Sequence, residues 1–272
     1  MKNLKYIFLS IVFLGLFSCE DVIDVNLPTA QPRLVVDASI DWIQGTDGSV
    51  QKIKLTTTTG FYSSNVPVVS NAIVSVENAN GVIFHFIEDG TSGEYFCYDF
   101  VPEAGMEYTL TVMIEGEVYT AVETMKNLPE FLYFTQSNEV GFGEDFIEIR
   151  YYFQDDPNED NFYMDRVQEP GKAFPFYGTG SDKYTQGNEM YGLYLSDDIK
   201  SGDVLNIKLY EISERYYDYM NRLLEAVYNG GGPFQTNVGT VRGNLVNQTN
   251  PDKYALGYFR LSQVFEADYT VE

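Results

Sequence analysis

The chain has 272 residues, with 17 Lys and Arg against 40 Asp and Glu, which gives a formal net charge of −23 at pH 7. A charge this negative argues against nucleic acid or an anionic lipid surface as a binding partner. The 22 Tyr and 19 Phe can fill a sizeable core, and the length fits one large or two ordinary domains. With only two cysteines, no disulfide framework is expected.

Residues 1–18 have the layout of a signal peptide. Lys2 and Lys5 precede an apolar run from Tyr6 to Phe17, and the small Ser18 follows this run. The run has about a dozen residues, whereas a helix that spans a bilayer needs about 20. The pattern therefore favours a signal peptide over a transmembrane helix.

The segment Leu16-Phe17-Ser18-Cys19 resembles the bacterial lipobox. In a lipobox the cysteine thiol is acylated and the peptide bond before it is cleaved, so we expect Cys19 to carry the lipid anchor. The alternative is an ordinary signal peptide with a chance cysteine, but no A-x-A-like cleavage site is present. Several acyl chains would hold the protein firmly on a membrane.

Three acidic residues stand close behind the cysteine, namely Glu20, Asp21 and Asp24. Acidic residues at this place resemble the surface-export signal of Bacteroidota lipoproteins. The expected location is therefore the outer membrane, with the lipid-anchored protein facing the cell exterior.

Residues 19–32 are predicted to be a lipidated tether, because Pro28 and Pro32 disfavour helix and block strand hydrogen bonds. From residue 33 to residue 127, short alternating or β-branched runs follow one another. Turn signals at Asn78 to Gly81 and at Glu115-Gly116 indicate antiparallel hairpins. The spacing predicts an immunoglobulin-like β-sandwich with strands at 33–40, 51–58, 72–77, 82–87, 94–98, 107–114 and 117–124.

A second β-rich domain is predicted over residues 128–272, because Pro129 favours linker geometry at the boundary. Its one amphipathic helix should run from about residue 214 to 228, with Ser213 as the cap. The apolar stripe of this helix favours packing on its own sheet over partner binding. The expected fold class is thus mainly β, with two tandem antiparallel β-sandwiches. The predicted strands of the second are 131–136, 146–153, 161–168, 191–196, 204–212, 240–246, 255–261 and 264–271.

The common sequence motifs of nucleotide-binding and zinc sites are missing. The chain has no phosphate loop, no dinucleotide fingerprint, no H-E-x-x-H and no C-x-x-C. The single histidine, His85, lies in a predicted strand, and Cys97 is expected to be buried packing rather than a nucleophile. No catalytic residue is predicted. Paired carboxylates among the 40 acids leave an acid-pair hydrolase as a remaining alternative.

An acidic loop raises calcium as the one candidate cofactor. Asp156, Asn158 and Asp160 alternate like the first ligands of a calcium loop. Asn161 stands at the sixth position in place of glycine and Val167 at the twelfth in place of glutamate, so the EF-hand pattern fails. A solvated loop is the preferred interpretation.

Aromatic residues cluster in the stretch 172–184, which is rich in glycine and proline and is expected to be irregular. Phe174, Phe176 and Tyr177 are candidate contacts for an unidentified small-molecule or peptide ligand or for a partner protein. The alternative, that these rings cover the end of the second core, stays equally open.

Several segments together resemble one family, namely those at 19–24, 32–36, 93–95, 105–110, 156–157, 161–163, 243–246 and 255–259. The family consists of uncharacterised Bacteroidota outer-membrane lipoproteins that form a domain of unknown function. One departure is Phe162 in place of the first of two tyrosines, which keeps the aromatic contact. The resemblance implies a gene beside a TonB-dependent receptor and a role as accessory subunit of a nutrient importer. It supplies no catalytic residues.

The preferred hypothesis is a non-enzymatic surface lipoprotein that docks on a TonB-dependent receptor. The alternative is an adhesion or envelope-assembly protein, since sandwich domains serve both roles. The acid-pair hydrolase is the third hypothesis.

Overall fold

The computed structural model describes residues 31–60, 63–138, 146–229 and 239–272. The predicted lipidation site Cys19 and the predicted export residues Glu20, Asp21 and Asp24 lie outside these ranges. No helix in the described ranges is both long and apolar enough to cross a bilayer.

The first seven strands form a β-sandwich. One side has the strand order β1-β2-β5 and the other has the order β4-β3-β6-β7, and a short pairing of β4 with β5 connects the two sides. Apolar side chains alternate along these strands and meet between the sheets in one core, as a period of two requires. The strands are β1 Leu34–Ile43, β2 Gln51–Thr57, β3 Ile73–Asn78, β4 Ile83–Glu88, β5 Glu94–Cys97, β6 Glu107–Ile114 and β7 Glu117–Thr124.

Tyr108 at the start of β6 forms a tyrosine corner. Its hydroxyl donates to the carbonyl of Val101 at 3.0 Å and accepts from the amide of Glu103 at 2.9 Å. The ring is fully buried against Phe100. This arrangement, near the start of the sixth strand and tied to backbone a few residues upstream, is a hallmark of immunoglobulin-like sandwiches.

The next strands repeat the same topology. One sheet has the order β8-β9-β12, and the facing strands have the order β11-β10-β13-β15. The predicted fold class, two antiparallel β-sandwiches with one helix in the second, is therefore confirmed. The elements are β8 Glu130–Ser137, β9 Ile147–Gln154, β10 Phe162–Gln168, β11 Phe176–Ser181, β12 Glu189–Ser196, β13 Val204–Ile212, the helix α1 Glu214–Asn229, β14 Val246–Asn247 and β15 Leu256–Thr270.

Three predicted elements differ from the structure. The stretch expected to be irregular contains β11, which pairs with β10 because Gly178 leaves room for the Asp165 carboxylate. The predicted strand 240–246 is reduced to β14, which pairs with β7. The two predicted strands at 255–261 and 264–271 are one strand, because the polar Ser262 between them donates to the carbonyl of Glu211.

The strand β15 belongs to both sandwiches. Its first half runs parallel to β1, from Leu256 beside Val35 to Val264 beside Ile43. Its second half runs antiparallel to β13, from Val264 beside Tyr210 onward. Within the described residues, β15 thereby joins strands of both sandwiches into one sheet of twelve strands. The division of the chain at residue 127 stays a prediction.

The helix α1 packs on the outer face of this shared sheet. The Ser213 hydroxyl accepts from the amide of Tyr216 at 3.3 Å, as a helix cap does. Tyr216 and Met220 are buried against Tyr210 and Val264 of the sheet. The helix therefore uses its apolar stripe for core packing, as the sequence predicts.

Gly257 allows β15 to lie close to β1, which yields a first prediction. Its φ is +87°, and an added Cβ would lie 2.0 Å from the carbonyl oxygen of Val36. Gly202 has nearly the same φ, +91°, but open space around it. We expect Gly202→Ala to cost about 1 to 2 kcal/mol from backbone strain alone. Gly257→Ala should cost on the order of 4 kcal/mol or more.

Urea unfolding of both variants measures this difference. Equal losses of unfolding free energy in Gly257→Ala and Gly202→Ala would contradict the close approach of β15 to β1.

Asp165 brings a carboxylate into the second core. It lies beside the hydroxyl of the buried Tyr151, which offsets only part of the effect of burial. Burial disfavours the charged form and raises the pKa of Asp165 from 3.8 to about 6. The folded chain therefore keeps this proton at a pH where the unfolded chain has lost it.

The raised pKa of Asp165 yields a second prediction, with a defined sign. As the pH rises from about 4 to about 6, only the unfolded state loses the proton, so the free energy of unfolding falls. A shift of about two units corresponds to about 3 kcal/mol. We expect Asp165→Asn to be more stable than the parent chain at pH 7.5 by up to that amount.

This advantage should disappear below about pH 4, where the carboxyl is protonated in both states. Urea unfolding across this pH range is the measurement, and the exposed Asp89→Asn serves as the matched control. A stability difference for Asp165→Asn that does not change with pH would refute the assignment.

Candidate functional site

A cavity of about 1210 Å³ lies between α1 and the outer face of the shared sheet. We call it the helix groove. Its floor is formed by side chains of β1, β15, β13 and β10, one wall by α1, and its far edge by residues 174–177. The floor follows from strand alternation: Val36, Ala38 and Ile40 of β1 enter the first core, so Asp37 and Asp41 face the groove.

Aromatic rings line much of the groove. Tyr258 of β15 packs edge-on against Tyr216 of α1, with ring centroids 4.8 Å apart, and lies 4.9 Å from Tyr219. Tyr210 of β13 is buried beside them. Such rings give a large apolar contact area with polar hydroxyls at its edge. The aromatic lining residues are Phe174, Phe176, Tyr177, Tyr194, Tyr210, Tyr216, Tyr219, Tyr228 and Tyr258.

Arg260 of β15 is a buried cation on the groove floor, with 6% of its surface exposed. Its Nη2 lies 2.8 Å from Oδ1 of Asp41. The guanidinium carbon lies 4.7 Å from the ring centroid of Tyr210 and 5.6 Å from that of Tyr216. Burial works to lower the pKa of Arg260, but Asp41 and the two tyrosines outweigh it and the pKa is raised. The arginine is therefore charged in the folded protein.

Two of the three guanidinium nitrogens of Arg260 lack an acceptor in the described part of the chain. Among the described residues, Nε and Nη1 of Arg260 form no hydrogen bond of normal geometry, although the Tyr216 hydroxyl interacts with the guanidinium. A buried donor without a partner costs about 1 to 3 kcal/mol, and contact with a ring face recovers only part of this. Such groups need a specific explanation in a folded protein.

The position of Asp41 is fixed by Gln51. The Gln51 amide accepts from the backbone N–H of Asp41 at 3.2 Å and donates to its carbonyl at 3.0 Å. Backbone pairing between β1 and β2 spans only Leu34 to Asp37. Beyond this point the Gln51 side chain supplies the hydrogen bonds that a paired backbone would make to Asp41. The carboxylate that holds Arg260 therefore stands on a rigid strand.

The groove is less acidic than the rest of the chain. Five of its lining residues are basic and three are acidic, whereas the whole chain has 17 basic and 40 acidic residues. Arg166 has no carboxylate partner among the described residues and contacts only the amide oxygens of Asn206 and Gln168, at 3.4 and 3.3 Å. The basic lining residues are Lys52, Arg166, Lys172, Lys208 and Arg260, and the three lysines pair with Glu94, Asp198 and Glu266.

The predicted aromatic contacts Phe174, Phe176 and Tyr177 all line this groove. Phe174 is 85% exposed, while Phe176 packs on Tyr194 with ring centroids 5.4 Å apart. Tyr177 stands beside Arg166 in the pairing of β11 with β10. One ring is thus free for contact and another covers the second sandwich, and their role in binding stays a prediction.

The predicted calcium residues lie in an exposed loop between β9 and β10. Oδ1 of Asp156 accepts from both the backbone and the side-chain amide of Asn158, at 2.9 and 2.7 Å. Within the described ranges, no three acidic, histidine or cysteine residues are grouped to hold a metal ion. The neighbouring Asp155 accepts from the Tyr163 hydroxyl and the Gly187 amide, which fixes the loop. Calcium binding at Asp156, Asn158 and Asp160 stays a prediction.

His85 and Cys97 do not come together. His85 lies on the exposed face of β4, whereas the Cys97 side chain is buried in the first core. Burial raises the pKa of the Cys97 thiol to about 11, so it is protonated at neutral pH. Both fit the structural roles expected from the sequence.

The sequence interpretation missed Arg260 and Asp41. A local signal existed, because Arg260 interrupts the apolar run Tyr258-Phe259-Arg260-Leu261. A charged residue inside such a run is rarely buried without a partner. Its partner Asp41 lies on a distant segment, and no local pattern joins the two.

Comparisons with known proteins identify the family. A profile described as a domain of unknown function, DUF4249, matches residues 20–268, and no curated protein matches the chain. Similar solved structures are a two-domain fibronectin type III segment of chicken tenascin (12% identity, 66% of this chain and 90% of that chain, TM-score 0.22) and a cytokine receptor complex (8%, 65% and 82%, 0.24). A third is a DUF4785 family protein from Legionella pneumophila (8%, 65% and 52%, 0.25). Since the profile spans most of its length, the chain belongs to the DUF4249 family.

Proposed function

We propose that the protein is a lipid-anchored outer-membrane protein of the cell surface that serves as a non-enzymatic accessory subunit of a TonB-dependent nutrient importer. In this role it binds a ligand in the helix groove and presents it to the receptor barrel. The groove is the observation that carries the proposal.

The groove has the features of a ligand site. Its volume of about 1210 Å³ lies slightly above the range of small-molecule pockets, about 300 to 1,000 Å³. Aromatic walls with a few convergent polar groups such as Asp41 and Arg260 are typical of such sites. The acid-pair hydrolase gains no support here, because Asp37 and Asp41 are four residues apart on one strand, about 13 Å. The third acid of the groove, Glu169, accepts hydrogen bonds from the hydroxyls of Tyr194 and Ser196. Asp41 is also paired with Arg260.

The proposed location at the outer membrane rests on the N-terminal sequence. The family match begins at residue 20, directly after the predicted lipidation site Cys19. The acidic residues Glu20, Asp21 and Asp24 support export to the outer face of Bacteroidota membranes. The tether up to Pro32 would let the two sandwiches reach a neighbouring receptor.

One observation favours an adhesion or envelope-assembly role as the second candidate. The rings of Phe174 and Tyr184 are 85% and 90% exposed. Exposed aromatic side chains are frequent anchors of protein interfaces. The purification described next separates the two candidate functions, because it identifies the protein that is captured with this one.

The test, and third prediction, is purification of the protein from outer membranes of its native host in mild detergent. We expect a TonB-dependent receptor barrel to co-purify, and mass spectrometry to find acyl chains on Cys19. The Cys19→Ala variant, which lacks the thiol for the lipid, should lose membrane attachment and the receptor together. Capture of other envelope proteins without a barrel would support the adhesion role and refute the importer role.

A further inference from the structure

We infer that the helix groove takes a ligand with a carboxylate group, held by Arg260 and Arg166, and an apolar body that packs on the groove tyrosines. The inference rests on the proposed ligand-binding function of the groove and adds the chemical class of the ligand.

Arg260 supplies the first part of the argument. Only its Nη2 is engaged by Asp41, and its Nε and Nη1 form no hydrogen bond of normal geometry among the described residues. An arginine offers its donors in a planar fork that matches the two oxygens of a carboxylate. Both edges that match a carboxylate include Nη2, which Asp41 holds, so one oxygen of a ligand carboxylate would accept from either Nη1 or Nε.

Arg166 supplies a second, independent cation. Both arginines line the groove, and the Tyr210 ring centroid lies 4.7 Å from the guanidinium carbon of Arg260. Amide oxygens contact Arg166, but no described carboxylate neutralises it. In a chain with a net charge of −23, Arg166 without a carboxylate partner and Arg260 with unpaired donors in the same cavity mark a site for an anion.

The apolar body of the ligand follows from the walls. Tyr216, Tyr219 and Tyr258 form a cluster of rings beside Arg260. Met220 and Leu223 of α1 extend this apolar surface along the helix. A small inorganic anion would leave these side chains without a contact, so an organic acid or the C-terminal end of a short peptide fits better.

Binding requires a small rearrangement of the groove. Nε and Nη1 of Arg260 are closed off from bulk water. The Tyr216 ring lies over the guanidinium and belongs to α1, whereas Tyr210 belongs to the sheet. We therefore expect the Tyr216 side chain to shift when the carboxylate enters, with a change in tyrosine absorbance.

The experiment, and fourth prediction, measures binding to residues 20–272, which include the whole compact unit from Pro32 to Glu272. The probes are 1-pyrenebutyrate and the dipeptide Leu-Phe, each compared with its carboxamide in titration calorimetry. The two acids distinguish an organic acid from a peptide C-terminus. We expect the acid to bind at least about 10-fold more tightly than the amide, because hydrogen bonds to a charged group are stronger than neutral ones.

Substitutions test whether Arg260 and Arg166 cause the preference for the acid over the amide. Arg260→Gln and Arg166→Gln should each weaken binding of the acid by about 10-fold or more and leave the amide unchanged. Lys253→Gln removes the same charge outside the groove, beside Glu117, and should leave binding of the acid unchanged. Circular dichroism checks the fold of each variant, and the half-exposed Arg166 provides the test if Arg260→Gln does not fold.

Three outcomes would overturn the inference: equal affinity for acid and amide, no loss in either arginine variant, or no binding of any probe. If the receptor still co-purifies in these cases, the carboxylate inference fails while the importer proposal stands. If the acids bind as expected but no receptor co-purifies, the importer proposal fails and the carboxylate site stands.

Discussion

The architecture depends on the parallel pairing of β15 with β1. Parallel strands need a long crossover, and here the pairing joins segments from opposite ends of the described chain. The approach is possible because Gly257 and Gly243 have no side chains: an added Cβ would lie 2.0 Å from the Val36 carbonyl or 1.6 Å from the Gly257 carbonyl. Asn244 then bonds both the N–H and the carbonyl of Phe259 at 3.0 and 2.8 Å, as a neighbouring strand would.

The shared strand also explains why the groove exists. An isolated sandwich has one outer face per sheet that is mostly solvated. Here β15 extends the outer face across both sandwiches, and α1 covers only part of it, so a concave region remains beside the helix. Arg260 of β15, Asp41 of β1 and Tyr210 of β13 meet there. The proposed anion site is therefore a consequence of the same strand pairing that connects the sandwiches.

Local sequence signals predict the parts whose hydrogen bonds are local. The hairpin at Glu115 and Gly116 has positive φ at both residues, +49° and +80°, as the Gly-containing turn suggests. The sequence likewise predicts the helix that Ser213 caps, because the capping residue and the apolar stripe are local signals. In contrast, β11 depends on the fit of Gly178 to Asp165, and the continuity of β15 depends on partners far away in sequence. The groove could not be predicted, because its floor combines four strands that only the tertiary fold brings together.

The residues of the family resemblance and those of the site overlap only in part. Arg33, Gly243, Asn244 and Gly257 all lie in the segments that carry the resemblance. Arg33 stacks on the Tyr254 ring at 3.7 Å, while the other three hold β15 against β1. These residues build the junction between the sandwiches and do not line the groove, apart from Gly257. Arg260 and Arg166 lie outside the resemblance segments, whereas Tyr258 lies inside one, so these motifs supply the strand junction and one ring of the groove but neither arginine.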